Sequence, residues 1–196
     1  MSPLRILTNL TLLCLLTTLP LTGCVSLLTA SSGPQGIDTA NGKRTWGRTL
    51  EDQAIETKAY VNLRKSLANN GRDHIVVVSF NGIALLLGQI SNDKQRKIAT
   101  NTVKNIRHVR KVHDKLTIGP QTSYGQRIAD AWKTYQIKSQ LLFAENFPSG
   151  RVKVVTEKGV VYLLGLMTEK EADHATAVAR SVRDVKKVVK AFEFIR

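Results

Sequence analysis

Hydrophobic positions in the chain follow one pattern twice. Apolar, β-branched runs at 75–80 and 83–90 flank Asn81-Gly82, and runs at 152–157 and 160–167 flank Lys158-Gly159. Such runs around a two-residue turn signal predict β-hairpins. Each hairpin leads into a segment of helical period. Asn92 is placed to cap a helix over 93–106, and Thr168 with Glu171 forms a capping-box pattern ahead of a helix over 169–183. Closing strands are predicted over 109–118 and 185–194, and a further helix precedes each hairpin, at about 51–68 and 124–144.

The two halves are copies. Residues 75–90 lie over 152–167 without a gap, so that Gly82 falls on Gly159 and Gly88 on Gly165, and residues 105–112 lie over 181–188 after a one-residue adjustment. Units of about 70 residues are too long and too few for a solenoid. The expected fold class is α+β, two tandem αββαβ domains, each a three-stranded sheet with both helices on one face. Their bounds are read as 50–119 and 120–196.

What precedes them has another character. Arg5 followed by an apolar run over 6–19 has the form of a signal peptide, too short and too rich in Thr for a comfortable membrane span. The run ends in Leu21-Thr22-Gly23-Cys24, the pattern of a bacterial lipoprotein signal in which the cysteine is acylated, for example with palmitate. Residues 1–23 are therefore read as a lipoprotein signal peptide, Cys24 as the lipidated N-terminus, and 24–49, rich in Ser, Thr, Gly and Ala, as a flexible tether. Val25 in place of Asp points, by analogy with enterobacterial sorting, to a periplasm-facing place on the outer membrane. Trp46 is the tether's large apolar residue, free either to pack on the first domain or to touch lipid.

Charge narrows the partners. The chain carries 29 Lys+Arg against 15 Asp+Glu, a net +14, divided between 12 basic and 6 acidic residues in 50–119 and 13 against 8 in 120–196. That balance favours an anionic partner. In an export compartment it leaves acidic lipid ahead of nucleic acid. The two cysteines, Cys14 and Cys24, both lie N-terminal to the domains, which excludes disulfides and thiolate metal sites within them.

The αββαβ order, the paired hairpin glycines and the Val-x-x-Val approach to each last strand (Val109 to Val112, Val185 to Val188) resemble BON domains. Trp132 with Ser139, Gln140, Leu141 and Leu142, the 152–157 strand, Gly165-Leu166 and the Ala191-Phe192-x-Phe194-Ile195 ending carry the resemblance most specifically. Two such domains behind a lipobox resemble dual-BON-domain outer-membrane lipoproteins. The resemblance implies a non-enzymatic protein that supports envelope integrity, binds anionic phospholipid through the first helix of its second domain, and gathers at division sites. It also implies outer-membrane assembly or division-site proteins as possible partners.

The residues themselves single out the same helix. In the first copy Ile55, Ala59, Leu63 and Leu67 make a core stripe; laying Leu63 on Ile137 puts the second helix's core through Ile137, Leu141 and Ala144. Ile128, Trp132, Tyr135 and Leu142 then form a second apolar stripe flanked by Arg127, Lys133 and Lys138, with Trp132 standing in the place of Lys58. Aromatic rings with nearby cations suit a phospholipid headgroup layer. The same stripe suits packing on the first domain, an inverted register with Trp132 buried, or the partner surface of a periplasmic adaptor or chaperone-like module.

Catalytic and metal chemistry is not indicated. His74, His108, His113 and His174 lack ligand spacing, His113-Asp114 in a strand would point to opposite faces, and Glu169, Glu171 and Asp173 sit at a helix start where they meet the dipole. No phosphate-loop lysine follows any of the glycines, and no cofactor is expected.

Overall fold

A computed structural model describes residues 46–67 and 72–195. The signal segment, Cys24, the tether up to residue 45 and the side chain of Trp46 lie outside the described residues. The first unit comprises α1 (Trp46–Ser66), β1 (His74–Phe80), β2 (Ile83–Ile90), α2 (Asp93–Lys104), β3 (Lys111–Asp114) and β4 (Thr117–Ile118). The second comprises α3 (Tyr124–Phe143), a 3-10 turn at Ser149–Arg151, β5 (Val152–Glu157), β6 (Val160–Met167), α4 (Glu169–Ser181) and β7 (Lys187–Phe194). The αββαβ order holds in both.

Local chemistry explains the elements. Asn81 and Gly82 have φ of 52° and 74°, and Lys158 and Gly159 of 52° and 77°, the left-handed pair that a type I′ hairpin turn requires. Asn92 Oδ1 accepts from Gln95 N at 2.9 Å, and Thr168 and Glu171 close a reciprocal capping box. In each sheet the middle strand pairs antiparallel with the first and parallel with the last. The first unit's closing strand is divided where a single strand over 109–118 was expected. Asp114 Oδ1 takes the N–H of Leu116 at 2.9 Å, a local bond that competes with the ladder, and Leu116 turns into the core. Helix α1 begins at Trp46, five residues before the predicted start, so the last residues assigned to the tether are helical.

The strands are apolar on both faces, and the two faces have different neighbours. Ile75, Val77, Ala84, Leu86 and Ile90 face α1 and α2 over Ile55, Ala59, Leu63, Ala99 and Val103. Val154, Val161 and Leu163 likewise face α3 and α4. The alternate residues Val76, Val78, Phe80, Leu85 and Leu87 of the first sheet meet Val155, Tyr162, Leu164, Leu166 and Ala191 of the second. With a side-chain period of two, each sheet is covered by its own helices on one side and by the other sheet on the other, giving helix, sheet, sheet and helix layers.

Polar contacts close the rims of this seam. At one end Glu193 accepts from Asn81 Nδ2 at 2.6 Å and Arg110 at 2.5 Å, and Lys153 bridges Glu56 and the Ser79 carbonyl. At the other, Glu157 accepts from Gln89 Nε2 at 2.8 Å and Thr122 Oγ1 at 3.0 Å and lies 3.6 Å from His74 Nε2. Burial by itself would raise the Glu157 carboxyl; the adjacent His74 imidazole and hydrogen bonds from Gln89 and Thr122 outweigh it and hold the group below the ordinary carboxylate range.

Candidate membrane-facing site

Helix α3 is fixed to its domain by one face. Ile137 and Leu141 are buried in the core, and Asp130 accepts from the N–H groups of Lys158 (2.8 Å) and Gly159 (3.0 Å), fastening the helix to the hairpin turn. Asp52 does the same in the first domain, taking the N–H groups of Asn81 (2.8 Å) and Gly82 (3.0 Å) and the Ser79 hydroxyl (2.7 Å). These matched carboxylates fix the register between the copies. Asp52 lies on Asp130, Ala59 on Ile137, Leu63 on Leu141, and the helix starts Trp46 and Tyr124 coincide. The register drawn from the sequence is one helical turn off. Trp132 therefore corresponds to Ala54, not to Lys58, and Ala144 lies past the end of the helix.

With that face inward, the other is presented to solvent. Ile128, Trp132, Tyr135 and Leu142 are all exposed, Trp132 to 60% of its surface, and the Trp132 and Tyr135 rings stack with centroids 5.3 Å apart. Tyr124 and Phe143, which the sequence reading did not single out, extend the stripe at either end, and Phe143 is 82% exposed. At about 100° and 1.5 Å per residue the six side chains fall within an arc of about 100° over a length of about 29 Å. The signal for the two additional residues was present: Tyr124 precedes Ile128 by four and Phe143 adjoins Leu142.

The three flanking cations separate. Lys138 is exposed and Arg127 half-buried at the edge of the stripe; neither has a carboxylate partner among the described residues, and the Arg127 Nε is unpaired. Lys133 is turned away. It is 9% exposed and occupies the core position equivalent to Ile55, its amine 3.4 Å from the Ala129 carbonyl and 3.9 Å from Asp130. The aliphatic stem fills an apolar place while the amine reaches a carboxylate.

Among the described residues no helix is long and apolar enough to cross a membrane, and no group of His, Cys, Asp and Glu is arranged to hold a metal. His113 does lie on a strand beside Asp114, but Asp114 is engaged by Arg96 Nε at 2.8 Å and by Thr100 at 3.1 Å. Burial, then Lys111 and Lys115, pushes the His113 imidazole below its usual range.

The BON domain family model matches residues 51–120 and 129–196, starting one residue before Asp52 and Asp130 in the respective copies. The chain belongs to the BON-domain family. It is 33% identical over 178 residues to the outer membrane lipoprotein DolP of Haemophilus influenzae, covering 91% of this chain and 92% of that one. It is 33% identical over 153 residues to a 21 kDa hemolysin of Actinobacillus pleuropneumoniae (78% and 79% covered) and 30% identical over 163 residues to the osmotically-inducible protein Y of Escherichia coli (82% and 80%). The two tandem BON domains and the similarity to DolP over most of the chain support a protein of the DolP type.

Proposed function

We propose that this BON-domain protein is an outer-membrane lipoprotein, acylated at Cys24, that engages anionic phospholipid through helix α3 of its second domain. The observation that carries the reading is the continuous exposed stripe from Tyr124 to Phe143, with stacked Trp132 and Tyr135 and the cations Arg127 and Lys138 at its edge. An aromatic ring with a polar handle is favoured at headgroup depth, and each nearby cation adds about 1 kcal/mol toward an anionic surface. Lys133, called on by the sequence reading for the same role, acts instead as part of the domain interior. The relative named an outer membrane lipoprotein supports the envelope setting, and none of the three relatives' names describes an enzyme.

The test is co-sedimentation of a chain starting at residue 25 with anionic and zwitterionic liposomes. Binding to the anionic set, reduced about tenfold or more by Trp132→Glu, is the expected result. Absence of any liposome binding would leave the stripe to a protein partner, the adaptor or chaperone-like role. The reading extends, through the family likeness, to envelope integrity and to gathering at division sites; a fluorescent fusion carrying Trp132→Glu is expected to lose septal enrichment.

A further inference from the structure

The first domain has an opening about twice the size of its counterpart in the second. Between α1 and the free edge of β1 lies a hollow of about 560 Å³, with Leu63, Leu67, Ile75 and Val77 among its apolar lining and Tyr60 and Arg64 on the helix side. The corresponding place in the second domain, between α3 and β5, is about 290 Å³. Nearby, Phe147, from the segment joining α3 to β5, packs on the second domain's core and against the His174 ring of α4 at 5.4 Å. Val154 is 3% exposed, whereas its counterpart Val77 is partly open. The first domain's joining segment, 67–73, contains no aromatic residue.

Backbone groups along the opening are set out in a defined order. Among the described residues β1 pairs only with β2, and the pair Phe80–Ile83 flanks a two-residue turn, which makes it a mutually hydrogen-bonded pair. Alternate residues Ile75, Val77 and Ser79 then turn both N–H and C=O away from the sheet. Ser79 confirms the phase: its N–H meets Glu56 at 2.7 Å and its carbonyl accepts from Lys153 at 3.2 Å. Ile75 and Val77 have no such partner among the described residues. Two outward pairs of donor and acceptor, two residues apart, match the spacing of another strand.

The rim adds a charge. Arg64 donates to the Tyr60 hydroxyl at 2.8 Å with its guanidinium 5.5 Å from that ring, and has no carboxylate partner among the described residues. Of the two nearby acids, Glu56 is paired with Lys153, while Asp73 accepts from the Ser91 N–H and hydroxyl and keeps its charge.

We propose that this groove receives an extended, acidic peptide segment of a partner protein. The segment adds to β1 as a new edge strand through Ile75 and Val77, places an apolar side chain over Leu63 and Leu67, and sets a carboxylate beside Arg64. A backbone strand satisfies the alternating donors and acceptors together, which an acyl chain does not.

The test uses the full chain in phospholipid nanodiscs and hydrogen exchange read by mass spectrometry. The probe is a blocked synthetic peptide, Thr-Phe-Thr-Glu-Thr-Val-Thr, beside a version with Lys for Glu. Exchange over the 73–80 segment is expected to slow about tenfold with the acidic peptide and to stay unchanged over 152–157. Val77→Pro removes an outward N–H and no bond to β2, and should abolish the protection. Arg64→Glu, a surface change, should reverse the preference toward the Lys peptide. Failure of the acidic peptide to protect 73–80, or equal protection in Val77→Pro, overturns the proposal. So does protection that rises with protein concentration without peptide, which would identify a second copy as the occupant, or that depends on nanodisc lipid alone, which would identify an acyl chain.

Discussion

Helices α1 and α3 occupy equivalent places in two copies of one domain, and their outer faces part company after the first two turns. Inward, the correspondence is close: Asp52 and Asp130 each fasten a hairpin turn, and Ala59 and Leu63 fall on Ile137 and Leu141. Outward, both sequences begin with large apolar residues, Trp46 and Leu50 matching Tyr124 and Ile128, but beyond them Ala54, Thr57, Arg64 and Lys65 stand where α3 has Trp132, Tyr135, Leu142 and Phe143. From Ala54 onward the first stripe is small and polar, whereas the second continues as a row of large apolar groups. Keeping the fold constrains one side of such a helix and leaves the other open to specialisation.

The largest expected effect concerns the inward side, where a charged residue, Lys133, replaces the apolar Ile55. Asp130→Ala leaves two turn N–H groups unpaired and also strands the buried Lys133 amine, so it should cost about 3–5 kcal/mol in chemical denaturation. Asp52→Ala, with Ile55 in the equivalent position, should cost less, about 2–3 kcal/mol. Adding Lys133→Met to Asp130→Ala should recover part of the difference. If both aspartates cost the same, Lys133 is not held by Asp130.

A graft tests the outward side. Ala54→Trp with Thr57→Tyr on α1 should restore measurable anionic-liposome binding to the Trp132→Glu variant while changing stability by no more than about 0.5 kcal/mol. Liposome binding unaffected by the graft would mean that α3 acts through more than its exposed rings.

Acidification tests the seam between the copies. The folded chain holds Glu157 below its ordinary value of 4.5, so the unfolded chain takes up that proton first. Its contribution is complete above the ordinary carboxylate range and is lost as pH falls through it and below. Thermal midpoints measured from pH 7 downward should therefore fall less steeply for Glu157→Gln than for the parent chain. The smallest effect belongs to the turns. Lys158 holds φ of 52°, where Asn81 of the other copy is better suited, and Lys158→Asn should raise stability by about 0.5 kcal/mol.

Features written in neighbouring residues could be read before any coordinates. The hairpins, the Asn92 cap and the Thr168–Glu171 box depend on residues a few positions apart, and their chemistry does not wait for the rest of the chain. The placement of α1 over α3 was harder, because a slip of four residues leaves the same face inward and the apolar pattern looks equally good. Only Asp52 and Asp130, bonded to turns about thirty residues away, distinguish the two registers. Lys133 defeated the rule that lysine lies outside, since its stem substitutes for Ile55 and its amine finds Asp130. Apolar residues on both faces of the strands were a signal of two-sided burial that the one-sided helix-on-sheet expectation did not use. That the second cover would be the sister sheet is a matter of long-range packing, for which residues such as Val78 and Leu164 carry no address.

That shared cover bears on how the protein comes apart. Separating the halves would uncover Phe80, Leu85, Leu87 and Leu164 together, a sticky plane that neither half could keep in water for long. The tandem is thus a single thermodynamic object despite its duplicated ancestry, and calorimetry should record one melting transition in which both copies are lost together.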